Sequence, residues 1–211
     1  MSYVVLAAGG HAKVVIEALR TAGLAIAGAT DADAARKGTR FCGVPILGDD
    51  ESLRRIGPAE TMLANGLGNR ASASGPGLER RRSVFEAFSG LGFAFPAIRH
   101  ASAVVASDAE LEPGAQVLAG VVIQPAARVG RNTIVNTRAV VEHDCVVGAH
   151  CHIAPGALLC GGVSIADGTH VGAGAVLLQN VRIGVGVVIA AGVVVDRDVA
   201  DGAVVRRSAR P

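Results

Sequence analysis

The sequence predicts a two-part chain: an α/β domain with a Rossmann-like βαβ start, then a long parallel β-helix made of six-residue repeats. Two observations carry this. From Val105, every sixth residue is Val, Ile or Leu, through Leu111, Val117, Ile123, Val129, Val135, Val141, Val147, Ile153, Leu159, Ile165, Val171, Leu177, Ile183 and Ile189 to Val195. Ahead of it, residues 3–29 read strand, glycine turn, helix, strand.

Taken in order, Tyr3-Val4-Val5-Leu6-Ala7 is a short apolar strand and Ala8-Gly9-Gly10-His11 a turn. Residues 12–21 carry Val14, Val15, Ala18 and Leu19 at helical spacing, and Gly23 closes that helix. A second strand, 24–29, leads to Asp31. Glycines after a strand let a phosphate approach the backbone, and the helix start offers free N–H groups and a positive dipole end. Asp31 lies about 20 residues beyond the turn, where a carboxylate can meet a hydroxyl of a bound nucleotide. The turn lacks the full G-x-G-x-x-G, so a dinucleotide is poorly supported, and a plain tight turn remains an equal alternative. Residues 41–48 read as a loop and short strand, 50–56 as a helix, and 61–64 as a third strand ending in Asn65-Gly66-Leu67-Gly68-Asn69. Open α/β sheets bind ligands at such carboxyl ends. Residues 77–89 form a helix with Leu78, Val84, Phe85 and Phe88 on its apolar face. The triplet Arg80-Arg81-Arg82 on this helix reads as solvated surface. Phe93-Ala94-Phe95-Pro96-Ala97-Ile98 then leads into the repeats without a linker. The division is therefore 1–98 and 99–211, rigidly joined.

A period of six suits neither a helix nor a hairpin array. Each hexad is a short strand plus a turn, and three hexads make one triangular coil. The aliphatic residue points inward and stacks on its equivalents about 4.8 Å away. A small residue precedes each by two, as at Ala103, Ala109 and Ala115. Sixteen beats make about five coils, a column about 25 Å long.

Composition agrees. Half of the 211 residues are hydrophobic, yet one Tyr, five Phe and no Trp make up the aromatics, so the core is aliphatic. A net charge of +2 gives no nucleic-acid signature. The start, Met1-Ser2-Tyr3, has no charged leader, and no run reaches the ~18 apolar residues of a membrane span. Cys42, Cys145, Cys151 and Cys160 are spaced for neither disulfides nor zinc. The expectation is a cytoplasmic protein without a metal site. Cys145 and Cys151 fall on small positions of the repeat and read as packing residues.

Of six histidines, His143, His150 and His152 fall within ten residues. No Cys or carboxylate has a ligand spacing to them, which argues against zinc. Glu142-His143-Asp144 is more informative. His143 lies two residues past Val141, so it faces outward at a turn, and Asp144 can orient its imidazole and raise its basicity. Without further context, a solvated surface histidine remains the plainer account of it.

Further motifs add to this: Ala8-Gly9-Gly10-His11-Ala12-Lys13-Val14-Val15, then Val135-Asn136-Thr137-Arg138-Ala139-Val140-Val141-Glu142-His143-Asp144-Cys145, then His152-Ile153-Ala154-Pro155-Gly156-Ala157. In this order they resemble the PglD/NeuD-type hexapeptide acyltransferases, which acetylate amino sugars or sialic acids. The resemblance implies a left-handed β-helix, a nucleotide-sugar-binding N-terminal domain, acetyl-CoA as co-substrate, and a homotrimer with sites in the clefts between prisms. It implies His143 as general base with Asp144 raising its basicity, and acetyl-CoA contacts from His152 and the Gly161 backbone. It implies substrate contacts from Gly9, Gly10, His11, Asp31 and Gly68, with Asn136 shaping the pocket. Transfer would then be direct, and activity would fall below a histidine pKa of about 6.5. The chain departs from the pattern at Ala7, where a glycine usually opens the loop. It departs again in its tail, Val204 to Pro211, which lacks a Gly-x-Pro-Ala-type segment; Arg206 and Arg207 there can attract CoA phosphates. Three functions stay open: N-acetylation of a nucleotide-linked amino sugar, O-acetylation of sialic acid or another sugar, and a non-catalytic β-helix binding protein.

Overall fold

The protein is described by a computed structural model covering residues 1–59, 61–69, 71–72 and 74–206. The N-terminal part orders five strands as β3-β4-β2-β1-β5: β1 (Ser2–Leu6), β2 (Ile26–Thr30), β3 (Arg40–Phe41), β4 (Val44–Gly48) and β5 (Thr61–Asn65). All pair in parallel except β3, which folds back on β4 through Cys42-Gly43, both at positive φ. Residues 41–48 are thus a hairpin end rather than an irregular loop. Helix α1 (Gly10–Thr21) begins two residues earlier than the spacing predicts, because Gly9 is extended and serves as its N-cap. It buries Ala12, Val15, Ile16 and Leu19 against the sheet. Helix α2 (Asp50–Ile56) is capped by the Asp49 carboxylate, which accepts from Ser52 N–H at 3.0 Å. Helix α3 (Glu79–Gly90) packs Phe85 and Phe88 over Val4, Leu6 and Leu63.

The chain then enters a left-handed parallel β-helix. Its strands are two residues each, from Ile98–Arg99 to Val204–Val205. Strands stack on those 18 residues away, as in Val104↔Val122↔Val140↔Leu158↔Val176↔Val194, which confirms three hexads per coil. The second residue of each strand points inward, and this column is a continuous aliphatic core. The small residues that precede it, Cys145 and Cys151 included, are buried in the same core. Burial pushes their thiols up to about 11 and 12.

The column is longer than the periodicity predicts. An extra strand opens it at Ile98–Arg99, where an arginine occupies the inward beat at the open end. The last strand pairs Val204 with Val188, an offset of 16 rather than 18, so the beat is lost after Val195. From Gly114 to Gly192 each corner turns on one residue at positive φ, recurring every six positions. Glycine fills most of these places, but Ala126, Asn132, Arg138, Asp144, His150 and Asn180 hold φ between 54° and 62°. Asn and Asp tolerate that region best.

Outward residues differ by face. The first face presents Ile98, Gln116, Ile134, His152 and His170 toward the N-terminal part; Ile98, Leu118 and Ile134 belong to that part's own core. The second face presents Val104, Val122, Val140, Leu158, Val176 and Val194, an uninterrupted apolar stripe with Val104 63% and Val194 61% exposed. The third presents Glu110, Arg128, Val146, Ser164 and Arg182 and is mostly polar.

Candidate active site

His143 stands at the corner between the second and third faces. Val141 is buried in the core, and Asp144 must take φ +60° for the chain to turn, its N–H donating to Pro125 O one coil below. This turn throws the imidazole into solvent, with 64% of the side chain exposed. His143 Nδ1 lies 2.8 Å from Asp144 Oδ2. A carboxylate only accepts, so Nδ1 donates, which in the neutral ring leaves the lone pair on Nε2. Directly one coil above sits Gly161. A Cβ built there would lie 2.6 Å from His143 Nε2 and Cε1, so the ring rests on the bare glycine. Gly161 O accepts from Asn180 N–H, while its own N–H donates to nothing among the described residues. One corner therefore combines a proton acceptor, a carboxylate that orients it, and a free backbone N–H within the same space. That set can deprotonate a nucleophile and stabilise an oxyanion.

His152 lies elsewhere, on the first face, which is opposite the His143 corner of a three-sided column. Its ring is buried between the two parts of the chain. Asn69, from the loop after β5, meets Nδ1, and Asn136 Nδ2 meets Nε2 at 3.0 Å. His170, one coil above, packs edge-on at 5.1 Å between centroids and accepts from Asn69 Nδ2 at 2.9 Å. Burial, with the neighbouring His170, His11 and Arg81, lowers the His152 pKa to about 3.

Gly9, Gly10, His11, Asp31 and Gly68 gather at the carboxyl ends of β1, β2 and β5. Neither Gly9 nor Gly10 has any atom where a side chain would go, and α1 has no side-chain cap and no acid in its first turn. Its first N–H groups are thus available to an anion. Gly68 backs onto His11, with a built Cβ 3.2 Å from His11 Cβ. His11 Nε2 bonds Gln116 Oε1 at 2.8 Å, tying this loop to the prism. Asp31 is held by Arg36, which also reaches Ala8 O at 3.4 Å. Ala7 takes φ +71°, a conformation that suits the glycine usual at this position, and its N–H donates to Thr30 Oγ1 at 3.1 Å.

Burial and the Arg81 charge lower His11 to about 4. Unfolded histidine titrates near ~6.5. The unfolded chain therefore takes up protons that the folded one refuses as pH drops from 6.5 toward 4. Stability is full above that window and declines within it. We expect the melting temperature to fall across this range, with His11 alone contributing up to about 3 kcal/mol. His11→Gln should flatten the profile in thermal denaturation followed against pH.

Arg81 corrects the sequence analysis. Rather than lying on a solvated helix face, it is buried at the junction, donating to Asn65 O at 2.9 Å, Leu67 O at 2.7 Å and Asn132 O at 3.3 Å. Three carbonyls brought together by the loop after β5 and a prism corner make this site, and none is near Arg81 in sequence. Burial lowers its pKa to about 9. Gln116, Arg36 and His170 were likewise missed, and Asn69 was placed at a strand's carboxyl end without its histidine partners. The helical pattern and the hexad give an asparagine or glutamine no special signal. No group of three or more His, Cys, Asp or Glu side chains among the described residues is arranged to hold a metal.

The "PglD N-terminal domain" family matches residues 3–72, and the "Bacterial transferase hexapeptide (six repeats)" family matches residues 126–161. A histidine-to-alanine mutant of GDP-perosamine N-acetyl transferase from Caulobacter crescentus, in complex with CoA and GDP-perosamine, is 36% identical with a TM-score of 0.87. That match covers 97% of this chain and 92% of the other. The acetyltransferase domain of PglB from Neisseria gonorrhoeae, in complex with acetyl coenzyme A, is 33% identical with a TM-score of 0.88, covering 100% and 98%. This chain belongs to the PglD-type hexapeptide sugar acetyltransferases. WeeI from Acinetobacter baumannii is similar over 100% and 99% of the two chains, at 26% identity and a TM-score of 0.82. The enzyme therefore shares its full two-part architecture with these proteins, the prism together with the glycine-turn domain.

Proposed function

We propose that the enzyme transfers the acetyl group of acetyl-CoA directly to the amino group of a nucleotide-linked amino sugar, with His143 as general base. The observation that carries this is the corner where His143, held by Asp144 at 2.8 Å, faces the Gly161 backbone. His143 Nε2 accepts the proton as the amine attacks the thioester carbonyl, and the Gly161 N–H donates to the developing oxyanion. The C–S bond breaks and the CoA thiolate leaves. The relative that carries CoA and GDP-perosamine supports an amine acceptor.

Three copies complete the site. The apolar stripe of the second face is the surface to bury, and around a threefold axis it turns inward. The His143 corner of one copy then meets the first-face corner of the next, beside Asn136 and His152. This joins groups that one chain holds apart. A cleft of about 240 Å³ runs from His170 past Ala173 and Ala191 to Arg206. Its apolar walls and terminal guanidinium suit the arm and a phosphate of CoA. The unit 1–98 binds the nucleotide sugar, with the bare α1 start and Gly68 toward its phosphates and Asp31 toward a hydroxyl; 99–211 is the acyl-transfer unit. Arg206→Ala should raise KM for acetyl-CoA about three- to tenfold with kcat little changed. Arg207 lies outside the described residues.

A thiol-release assay with acetyl-CoA and a panel of nucleotide amino sugars tests the reaction, with mass spectrometry locating the acetyl group. Release only with hydroxyl acceptors, such as sialic acid, would transfer the assignment to O-acetylation. No release with any acceptor would leave a binding protein.

A further inference from the structure

Backbone groups with only one possible role determine the protonation of two histidines. Pro76 O can only accept, and Asn69 Nδ2 lies 2.9 Å from it. This orients the Asn69 amide, so its oxygen faces His152 Nδ1, which must carry the proton. Thr137 N–H can only donate, and it meets Asn136 Oδ1 at 2.8 Å. Asn136 Nδ2 then donates to His152 Nε2, which must be the bare nitrogen. The two deductions agree, and both nitrogens of His152 are occupied. The second Asn69 Nδ2 hydrogen points to His170 Nδ1 at 2.9 Å, making that nitrogen an acceptor. Burial lowers the His170 pKa and keeps the ring neutral, so its proton sits on Nε2. That nitrogen has no partner among the described residues. The one buried polar side-chain atom left unbonded there is Arg81 Nη2, so His170 Nε2 is open to the cleft its ring lines.

We propose that His170 is a further binding residue for the acyl donor, its Nε2–H donating to an amide carbonyl of the pantetheine arm, and that Asn69 is the positioning residue that selects this tautomer. This rests on the acetyl-CoA reading above. It gives the N-terminal domain a part in acyl-donor binding, since Asn69 orients a ring that lines the cleft and Ala71 and Ser72 line it directly. It also assigns His152 a supporting role, holding Asn69 and Asn136 in place.

Nitrogen-15 NMR of the histidine rings in the unliganded full chain tests the tautomers. The expected spectrum has His170 protonated at Nε2 and His152 at Nδ1. Acetyl-CoA titration should move the His170 Nε2 resonance. By calorimetry, His170→Phe should weaken acetyl-CoA binding about three- to tenfold, the loss of one neutral hydrogen bond. His170→Gln, which returns an amide N–H, should recover most of it. Asn69→Asp, which offers only acceptors, should shift the proton to Nδ1 at about pH 8 and weaken binding with His170 intact. A His170 protonated at Nδ1 in the unaltered protein, or an unchanged Kd in His170→Phe, would overturn the proposal. Acetyl-CoA binding with these signatures but no sugar acetylation would sink the proposed reaction while supporting His170. No acetyl-CoA binding by the unaltered protein, with the expected tautomers present, would remove the acyl donor from both.

Discussion

His143→Ala is expected to lower kcat by about 10²–10⁴-fold while the fold and its assembly persist. The side chain is 64% exposed and contributes nothing to the aliphatic core, so its removal leaves no cavity. The corner itself depends on Asp144 at φ +60° and on the backbone bonds around it, which alanine at 143 retains. What is lost is the Nε2 lone pair, and an amine cannot attack while it holds its extra proton. Steady-state kinetics on the purified variant, with circular dichroism and size-exclusion chromatography, check this. Turnover within a few-fold of the unaltered enzyme would take His143 out of the reaction.

Gly161→Ala should be nearly as damaging, for a different reason. Gly161 is not at positive φ, so alanine meets no backbone strain. Its methyl would sit 2.6 Å from His143 Nε2 and Cε1, well inside contact distance. The exposed ring can swing away, so the fold survives. The imidazole, however, loses the position that Asp144 gives it. A displacement of about 1 Å at a reacting group costs about 10²-fold. We expect kcat to fall by about that factor with an unchanged melting temperature. Full activity would show that the His143–Gly161 stacking has no part in the chemistry.

The prism was legible because its period is a direct consequence of geometry. A two-residue strand and a corner repeat every six residues, and each coil must fill the same interior, so Val, Ile and Leu recur at the beat. The glycine turn after β1 and the outward placement of His143 follow equally from local pattern. The repeat failed at its ends, at Arg99 and after Val195, where an open coil no longer demands an aliphatic side chain. The role of Arg81 was not legible, and Asn69 was legible only as part of a strand's carboxyl end, without its partners. They act through partners 7 to 101 residues away, and nothing within a hexad or a helical turn distinguishes them.

By itself, then, the sequence determined the column, the strand–turn–helix that precedes it, and the corner that exposes His143, since all three depend on interactions within one repeat or between neighbouring repeats. Only the tertiary structure decided which histidines share a site. His143 and His152 are nine residues apart but stand on opposite sides of a three-sided coil. His152 and Asn69 are 83 residues apart but touch across the domain junction. Hydrogen bonds depend on distance in space, and in a coiled column that distance is set by face and height rather than by separation along the chain.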